Sequence, residues 1–405
     1  MNLRSLQFVA LAFLLLSIAV RAEEASWDLA GNVELQSRFF ARDALWPGQA
    51  SQAAQLSLAA TADLRWRSAG GDQRASFIPF LRWDEVDSDR SLVDLQEAYW
   101  AWEGTSAELL LGMNTVFWGV TESVHLVDII NQTDAAGDID GEDKLGQPMV
   151  NFVLQRDWGQ LSAYLLPYFR ERNFPGINGR LRPPLPADTE RPVYTSSGGQ
   201  NHMDLALRYS HYIGDVDIGL SVFSGTSREP RLVPSLASDG SGVVLVPHYD
   251  QIDQFAADVQ YTRDAWLWKL ETIVRDGYSH TFAAAVGGFE YTFYQVRQSA
   301  ADIGLLLEYQ YDGRNDVEPF TVNDNDVFVG TRLALNDTQD TSLLAGVAYD
   351  VKTGETFLNI EAERRFGEDI AFELRVRAFS GASPEDITYS VVRDDYVQLR
   401  IAKYF

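Results

Sequence analysis

The sequence has no cysteine and only five histidines, and its 58 acidic residues outnumber its 33 basic ones. Without cysteine the chain forms neither disulfides nor thiolate metal sites. The formal net charge of −25 argues against a nucleic-acid partner, because few cations are present to neutralise phosphates. Beyond its first residues the sequence also lacks an apolar run of the roughly 20 residues that a membrane-spanning helix needs.

The N-terminal segment has the three parts of a secretory signal peptide. Arg4 supplies the positive start, residues 8–20 form an apolar core, and Ala22 ends a small-residue cleavage site. The apolar core is too short to span a bilayer as a helix. We therefore divide the chain into a signal peptide, 1–22, and one domain, 23–405, and expect the domain to be exported.

Alternation of apolar and polar residues is the main structural signal in the rest of the chain. From Trp27 to Phe39 the odd positions are mainly apolar and the even positions mainly polar or charged, which is typical of a strand with one apolar face. Similar segments follow along the chain, and we count eighteen, with sixteen as the alternative. Strands of this length and number predict an all-β fold, an antiparallel transmembrane β-barrel, rather than a soluble sandwich.

Two prolines, Pro79 and Pro167, fall inside predicted strands. Proline cannot donate a hydrogen bond to a neighbouring strand, and a closed barrel has no free edge to accommodate it. We therefore predict local bulges at both positions.

The predicted connections alternate in length, as outer-membrane barrels require. The short connections are 69–72, 103–106, 157–159, 213–215, 262–265 and 365–369, and the long ones are 115–148, 171–201, 225–250, 312–325 and 380–388. This pattern places the short turns in the periplasm and the long loops outside the cell.

The loop at 115–148 is the longest interruption of the alternation, and it is rich in acidic residues. A long segment without regular structure inside a strand-rich chain is commonly functional. We interpret it as a loop folded into the barrel lumen, where its acidic residues narrow the pore; the candidates are Glu122, Asp128, Asp134, Asp138 and Asp140. The alternative is that the proline-rich loop 171–201 forms the constriction.

The first and last strands of the predicted barrel carry inward-facing arginines. A barrel closes its last strand against its first, so we expect these side chains to form one arc opposite the central loop. They are Arg38, Arg65, Arg67, Arg74, Arg82, Arg375, Arg377 and Arg400. The alternative is ordinary salt bridging across the wall, because charged lumen residues are routine in such barrels.

Two acidic runs, 138–143 and 323–326, resemble fragments of calcium-binding loops, but neither completes the twelve-residue spacing. We interpret them as hydrated acidic loops that loosely held divalent cations bridge to lipopolysaccharide. No histidine lies in a nucleophile motif; the five are His125, His202, His211, His248 and His280. We therefore predict that the protein is not an enzyme and needs no cofactor.

The C-terminal strand alternates Val397, Leu399 and Ile401 with polar residues, and the chain stops at Phe405. This arrangement resembles the signal by which bacterial outer-membrane barrels are recognised for assembly. Lys403 departs from the apolar or aromatic residue that is usual at its position in that family.

The central loop also carries a resemblance. By our count it follows the fifth strand, and it is similar to the loop of the general porins of Gram-negative bacteria that folds inward and faces a basic wall. The pair Trp118-Gly119, with Asp128, Asn131 and Asp134, resembles a group of proteobacterial porin-like proteins.

These resemblances imply an outer-membrane channel through which small hydrophilic solutes diffuse passively. The arginine arc opposite the acidic loop predicts an anionic or zwitterionic preference, because rings of charge set the selectivity of pores. The partners are then outer-membrane lipid, lipopolysaccharide and the solutes, with assembly into a homo-oligomer left open. Three other functions remain compatible with the sequence: an exporter of an acidic polymer, a barrel enzyme and a structural barrel.

Overall fold

A computed structural model describes residues 25–240, 242–278 and 280–405 of the chain. The predicted signal peptide, 1–22, lies outside the described residues. The strands are β1 Ser26–Phe40, β2 Ala54–Arg67, β3 Gln73–Asp84, β4 Leu92–Glu103, β5 Ala107–Asn114, β6 Gln147–Arg156, β7 Gly159–Leu166, β8 Val193–Tyr194, β9 Asp204–Ile213, β10 Val216–Thr226, β11 Arg231–Leu236, β12 Val243–Tyr249, β13 Gln251–Arg263, β14 Trp266–Asp276, β15 Phe282–Phe293, β16 Asp302–Asp312, β17 Asp326–Ala334, β18 Ser342–Asp350, β19 Thr356–Phe366, β20 Ile370–Ser380 and β21 Tyr396–Tyr404. Among the described residues, three short 3₁₀ helices occupy Gly199–Asn201, Val296–Gln298 and Ile387–Val391.

Eighteen of these strands form one closed antiparallel barrel. The barrel closes between β1 and β21, where Arg38 lies opposite Gln398 and Gln36 lies opposite Arg400. The predicted all-β barrel of eighteen strands is confirmed, and the alternative of sixteen is wrong. The three other strands, β8, β11 and β12, form a separate small sheet within the long connections.

The two faces of each barrel strand differ in exposure as the alternation requires. Outward side chains such as Leu29, Leu58 and Leu205 are exposed, whereas inward side chains such as Arg38 and Arg82 are buried. No helix among the described residues is both long enough and apolar enough to cross a membrane.

One side of the inner wall carries a buried hydrophobic cluster beside a few buried charges such as Glu271 and Arg275, and the other side is mainly charged. Inward residues of β6, β7, β10, β14 and β15 contribute to one buried hydrophobic cluster, which includes Met149, Tyr164, Phe223, Ile273 and Phe282. On the other side, β1–β3 and β19–β21 present the arginines and their partners to the lumen. An asymmetric wall of this kind gives a loop inside the barrel one surface for packing and another for ion pairing.

The predicted bulge at Pro79 is confirmed, because the pairing of β3 with β4 shifts register between Ile78 and Pro79. The bulge predicted at Pro167 is wrong. Strand β7 ends at Leu166, so Pro167 begins the next loop and needs no place in the sheet.

Two other boundaries differ from the sequence-based prediction. The predicted loop 380–388 is too short, because a 3₁₀ helix at Ile387–Val391 extends beyond it and the last strand begins only at Tyr396. The predicted loop 225–250 contains the hairpin β11–β12, which extends the ordered structure beyond the barrel rim.

Candidate functional site

Residues 115–146, which we call the plug, run from the end of β5 across the interior of the barrel to β6. Trp118, Val127, Ile129 and Ile130 of the plug are buried in the hydrophobic cluster on the apolar side of the wall. The ring of Trp118 packs edge-to-face against Tyr164, with 5.6 Å between the ring centroids. Burial of apolar side chains is the main source of such packing energy, so this cluster fixes the plug against one side of the lumen.

Two buried acids of the wall also hold the plug, through its backbone. Glu271 on β14 accepts hydrogen bonds from the backbone N–H groups of Val120 and Thr121, at 2.7 and 3.0 Å. Glu308 on β16 accepts bonds from those of Glu122 and Ser123, both at 2.9 Å. Charge-assisted bonds of this kind are stronger than bonds between neutral groups, and they satisfy backbone donors that have no strand partner.

On the charged side, the tip of the plug meets the arginines of the wall. Asp138 lies 2.7 Å from Arg375 and 3.6 Å from Arg377, and it accepts a 2.6 Å hydrogen bond from the hydroxyl of Tyr396. Asp140 lies 3.0 Å from Arg377. The plug therefore reaches from the apolar wall to the opposite charged wall.

Two more arginines contact the plug further along the same wall. Arg82 forms a buried ion pair with Asp134, and Arg38 donates a 2.5 Å hydrogen bond to the carbonyl oxygen of Gly137. Four of the eight arginines predicted for the pore wall thus contact the plug directly.

The other four predicted arginines do not contact the plug. Arg400 binds Glu34 and Glu373 lower on the wall. Arg65 pairs with Asp63 and is largely exposed, while Arg67 and Arg74 pair with Glu103 near the strand ends. Only Arg74 shares a strand, β3, with an arginine that contacts the plug, whereas Arg65 and Arg67 lie on β2 and Arg400 lies on β21.

The two remaining predicted plug acids face other partners. Asp128 forms an ion pair with Lys144 of the plug itself, at 3.1 Å. Glu122 lies 2.6 Å from Arg332 on β17 and 3.8 Å from Lys269 on β14. They stabilise the plug away from the arginine wall, so of the five predicted acids Asp134, Asp138 and Asp140 meet that wall. Asp143 also approaches it, at 3.9 Å from Arg82.

Sequence alternation did not indicate Arg90, which lies in the loop between β3 and β4. Its buried guanidinium binds Asp84 at 2.7 Å and donates to the carbonyl oxygen of Ala136 in the plug. A strand pattern identifies inward residues only within strands, so a loop arginine that turns into the lumen carries no such signal.

The loop 167–203, which we call the lid, lies at the long-loop end of the barrel and contacts the plug. Asn173 of the lid binds Asp134 of the plug at 2.7 Å. Arg180 is buried and pairs with Asp394 in the loop before β21, at 2.7 Å. The two loops that the sequence offered as alternative constrictions are therefore stacked and joined.

A cavity of about 270 Å³ lies between the plug and the arginine wall. Its uncharged lining residues include Gln36, Thr61, Phe80, Leu92, Gln96, Leu145 and Gln398. Its basic lining residues are Arg38, Arg82, Arg90, Lys144, Arg375 and Arg400, and its acidic ones are Glu34, Asp94, Asp134, Asp138, Asp143 and Glu373. Opposite charges thus face each other across a narrow space inside the barrel.

The two acids at the plug tip respond differently to this environment. Burial alone would raise the pKa of Asp138, but Arg38, Arg377 and Arg375 hold it well below its usual range. Burial and the charge of Asp138 raise the pKa of Asp140 to about 7. Desolvation and a neighbouring like charge both disfavour ionisation, so Asp138 is the permanent anion of the pair.

The two acidic runs have different surroundings. Residues 138–143 contribute Asp138 and Asp140 to the arginine contacts, which leaves those carboxylates poorly placed to ligate a cation. In the second run, Asp324 and Asp326 lie near Asp350, with ligand oxygens within 4.8 Å of one another. Lys352 approaches Asp324 at 3.4 Å and already supplies a cation to this cluster.

No family model matches the sequence, and no curated protein is similar to it. Among solved structures, the chain is similar to Wzi of Escherichia coli, titled an outer-membrane protein involved in capsule assembly and a carbohydrate-binding β-barrel. The two share 11% identity with a TM-score of 0.52, over 100% of this chain and 89% of Wzi. The chain has the fold of an outer-membrane β-barrel.

A second similar structure is OccK3 of Pseudomonas aeruginosa, with 12% identity and a TM-score of 0.51. The alignment covers 93% of this chain and 95% of OccK3. At such low identity both likenesses concern the fold, and the site has to be interpreted from its own residues.

Proposed function

We propose that the protein is a passive channel of the Gram-negative outer membrane that admits small hydrophilic solutes and selects them by size and by arrangement of charge. The observation that carries this proposal is the polar cavity between the plug and the arginine wall. Selectivity in pores comes from their diameter and from the charged groups that line them, and both are determined here by the same contacts.

The size limit follows from the plug and the lid. The plug is bound at both sides of the lumen, by Glu271 on β14 and by Arg375 and Arg377 on β20. A barrel of eighteen strands without a plug has room for an aqueous channel. With the plug in place, a solute passes only through the narrower spaces that these contacts leave.

The charge selection follows from the opposed rows of side chains. Asp134 and Asp138 of the plug face Arg82 and Arg375 of the wall. These pairs are in direct contact, and the fixed opposite charges that line the cavity beside them produce a local field that orients dipolar solutes. This part of the proposal predicts a preference for solutes without excess positive charge over simple cations.

Ion selectivity in planar lipid bilayers tests the proposal. The wild-type protein should form ion-conducting channels, and the triple variant Arg82→Gln, Arg375→Gln, Arg377→Gln should shift the reversal potential toward cation selectivity. The matched control is Arg65→Gln, Arg67→Gln, Arg74→Gln, which removes the same charge from arginines that do not contact the plug. The control should shift selectivity less. A wild-type protein that never conducts, or equal shifts in both variants, would contradict the proposal.

A second candidate function is a barrel that binds a ligand without conducting. It is favoured by the joined plug and lid, because the Asn173–Asp134 and Arg180–Asp394 contacts close the outer mouth in this conformation. Wzi, which shares the fold, is described as a carbohydrate-binding barrel. Binding of solute by a protein that stays silent in the bilayer recording would favour this second function.

A further inference from the structure

The cavity between the plug and the arginine wall is balanced in charge. Six basic and six acidic side chains line it. A site that selects anions carries an excess of cations, as charged rings in selective pores do. The balance here therefore points to solutes without net charge, a narrower class than the proposed channel function requires.

The arginines of the cavity are already engaged by protein acceptors. Arg38 donates to Gln398 at 2.7 Å and to the carbonyl oxygen of Gly137. Arg375 lies 2.7 Å from Asp138. An anionic solute would have to displace such a partner and leave it unpaired, and an unpaired buried charge is costly.

Positive and negative groups are also interleaved rather than separated. Glu373 contacts both Arg375 and Arg400, and Arg400 contacts Glu34 as well. An amino-acid zwitterion needs one cationic and one anionic pole at a fixed separation, and this wall alternates signs over short distances. The geometry therefore offers no pair of opposite poles that is free for such a solute.

Uncharged hydrogen-bonding groups remain free. Within the described ranges, the side chains of Thr61 on β2 and Gln96 on β4 form no hydrogen bond, although both line the cavity. Gln96 is the unpaired residue of the bulge, because Ile78 pairs with Glu97 and Pro79 pairs with Leu95. Half-buried Phe80 and Leu92 add an apolar surface beside them.

We propose that the cavity binds an uncharged, polyhydroxylated solute of the size of one sugar ring. Hydroxyl groups both donate and accept hydrogen bonds, so such a solute satisfies Thr61 and Gln96 without disturbing any ion pair. Its C–H face packs on Phe80. The volume of about 270 Å³ is below the roughly 300–1,000 Å³ typical of sites for drug-sized ligands, which favours a single ring. This inference rests on the proposed channel function and specifies its solute.

Four probes of similar size test the inference: glucose, glucuronate, glucosamine and glutamine. The first three share a ring and differ in charge, and glutamine is a zwitterion. Each is added to wild-type channels in a planar bilayer, and its block of the ion current is recorded. Glucose should block at a concentration about tenfold lower than the other three, the difference expected for roughly 1.4 kcal/mol of lost polar pairing.

A pair of variants tests the residues themselves. Thr61→Val with Gln96→Leu removes both free polar groups and leaves every charge in place, and it should weaken block by glucose about tenfold. The matched control is Thr272→Val with Gln155→Leu, which changes the same residue types away from the cavity and should leave block unchanged. Folding of all variants is verified by the mobility shift of the heated barrel on gels.

The outcomes separate this inference from the proposed function. Stronger block by glucuronate or glutamine than by glucose, or equal block in the two double variants, would overturn the sugar assignment and leave the channel intact. Absence of any ion current from the wild-type protein would instead overturn the channel function itself.

Discussion

His125 joins the plug to the barrel wall through two carboxylates. Its Nε2 lies 2.9 Å from Glu142 of the plug, and its Nδ1 lies 3.9 Å from Glu271 of β14. Phe117 packs edge-to-face against the ring. Burial lowers the pKa of His125, but the two carboxylates outweigh it and raise the pKa to about 10. The imidazole is therefore a cation at neutral pH and stabilises both acids.

Replacing His125 gives a prediction with a defined pH window. A histidine whose pKa is raised above the unfolded value of about 6.5 stabilises the fold fully below that pH and loses the effect as the pH approaches its folded value. The melting temperature of His125→Gln in detergent should fall furthest below that of the wild type near pH 6. The difference should shrink as the pH rises toward 10.

The control for this prediction is His211→Gln. The ring of His211 packs near Tyr209 and Tyr212, and within the described residues it forms no ion pair. Its melting difference from the wild type should show no comparable narrowing between pH 6 and pH 10. A constant difference for His125→Gln over the same range would show that the ion pairs of His125 do not stabilise the plug.

Backbone contacts join the two ends of the plug tip, residues 135–142. The backbone N–H of Asp134 donates to the carbonyl oxygen of Asp143 at 2.8 Å, and Thr133 and Lys144 form an isolated antiparallel bridge. Replacing 135–142 with a short Gly-Ser turn therefore removes Asp138 and Asp140 while keeping these contacts. Single-channel conductance should rise, because the part of the plug that reaches the arginine wall is gone.

Two shortened loops provide the comparison for the plug-tip variant. Trimming residues 238–240, at the tip of the hairpin β11–β12, should leave conductance unchanged. Trimming 184–190 of the lid tests the alternative constriction. If that lid variant raises conductance and the plug-tip variant does not, the lid rather than the plug limits the pore.

The barrel strands were predictable from the sequence, whereas the short strands within the long loops were not. Alternation predicted eighteen strands and their inward faces, because every barrel strand has one lipid side and one lumen side. The bulge at Pro79 was also predictable, because proline has no N–H to donate to the neighbouring strand. Alternation missed β8, β11 and β12, because short strands within long loops leave too few residues for a period of two to be visible.

The candidate site was predictable to a similar extent. The inward position of Arg82 and Arg377 follows from strand phase, and a plug opposite them follows from the acidic loop. The sequence does not predict which arginine meets which acid, because the path of a loop depends on distant packing such as that of Trp118 on Tyr164. Arg90 and Arg180 were missed for the same reason, as both lie in loops.

The whole molecule has its short turns at one end and its long loops at the other. Aromatic residues cluster at the turn end, where Trp266 packs with Trp268 and Tyr291, and Trp27 lies 6.4 Å from Trp66 between ring centroids. Rings at this level are typical of a membrane interface. Aromatic girdles mark both interfaces, but short turns are typical of the periplasmic end, so we predict that the turn end is the periplasmic side.

Cysteine labelling of intact cells checks this orientation, because the chain has no cysteine of its own. Asp316→Cys, in the long loop between β16 and β17, should react with a reagent that does not cross the membrane. Asp215→Cys, in the turn between β9 and β10, should react only after the cells are broken. The reverse pattern would invert the assigned topology.

The contacts of the plug also constrain the order in which the molecule is assembled. Asp138 and its partner Tyr396 are 258 residues apart in sequence, and Thr121 and Glu271 are 150 apart. Contacts between distant residues form only after the intervening chain has been brought together, and they slow folding. The tip of the plug can therefore take its final position only when β20 and β21 have been added to the sheet. A folding intermediate that lacks these last strands therefore has a plug tip without its ion-pair partners.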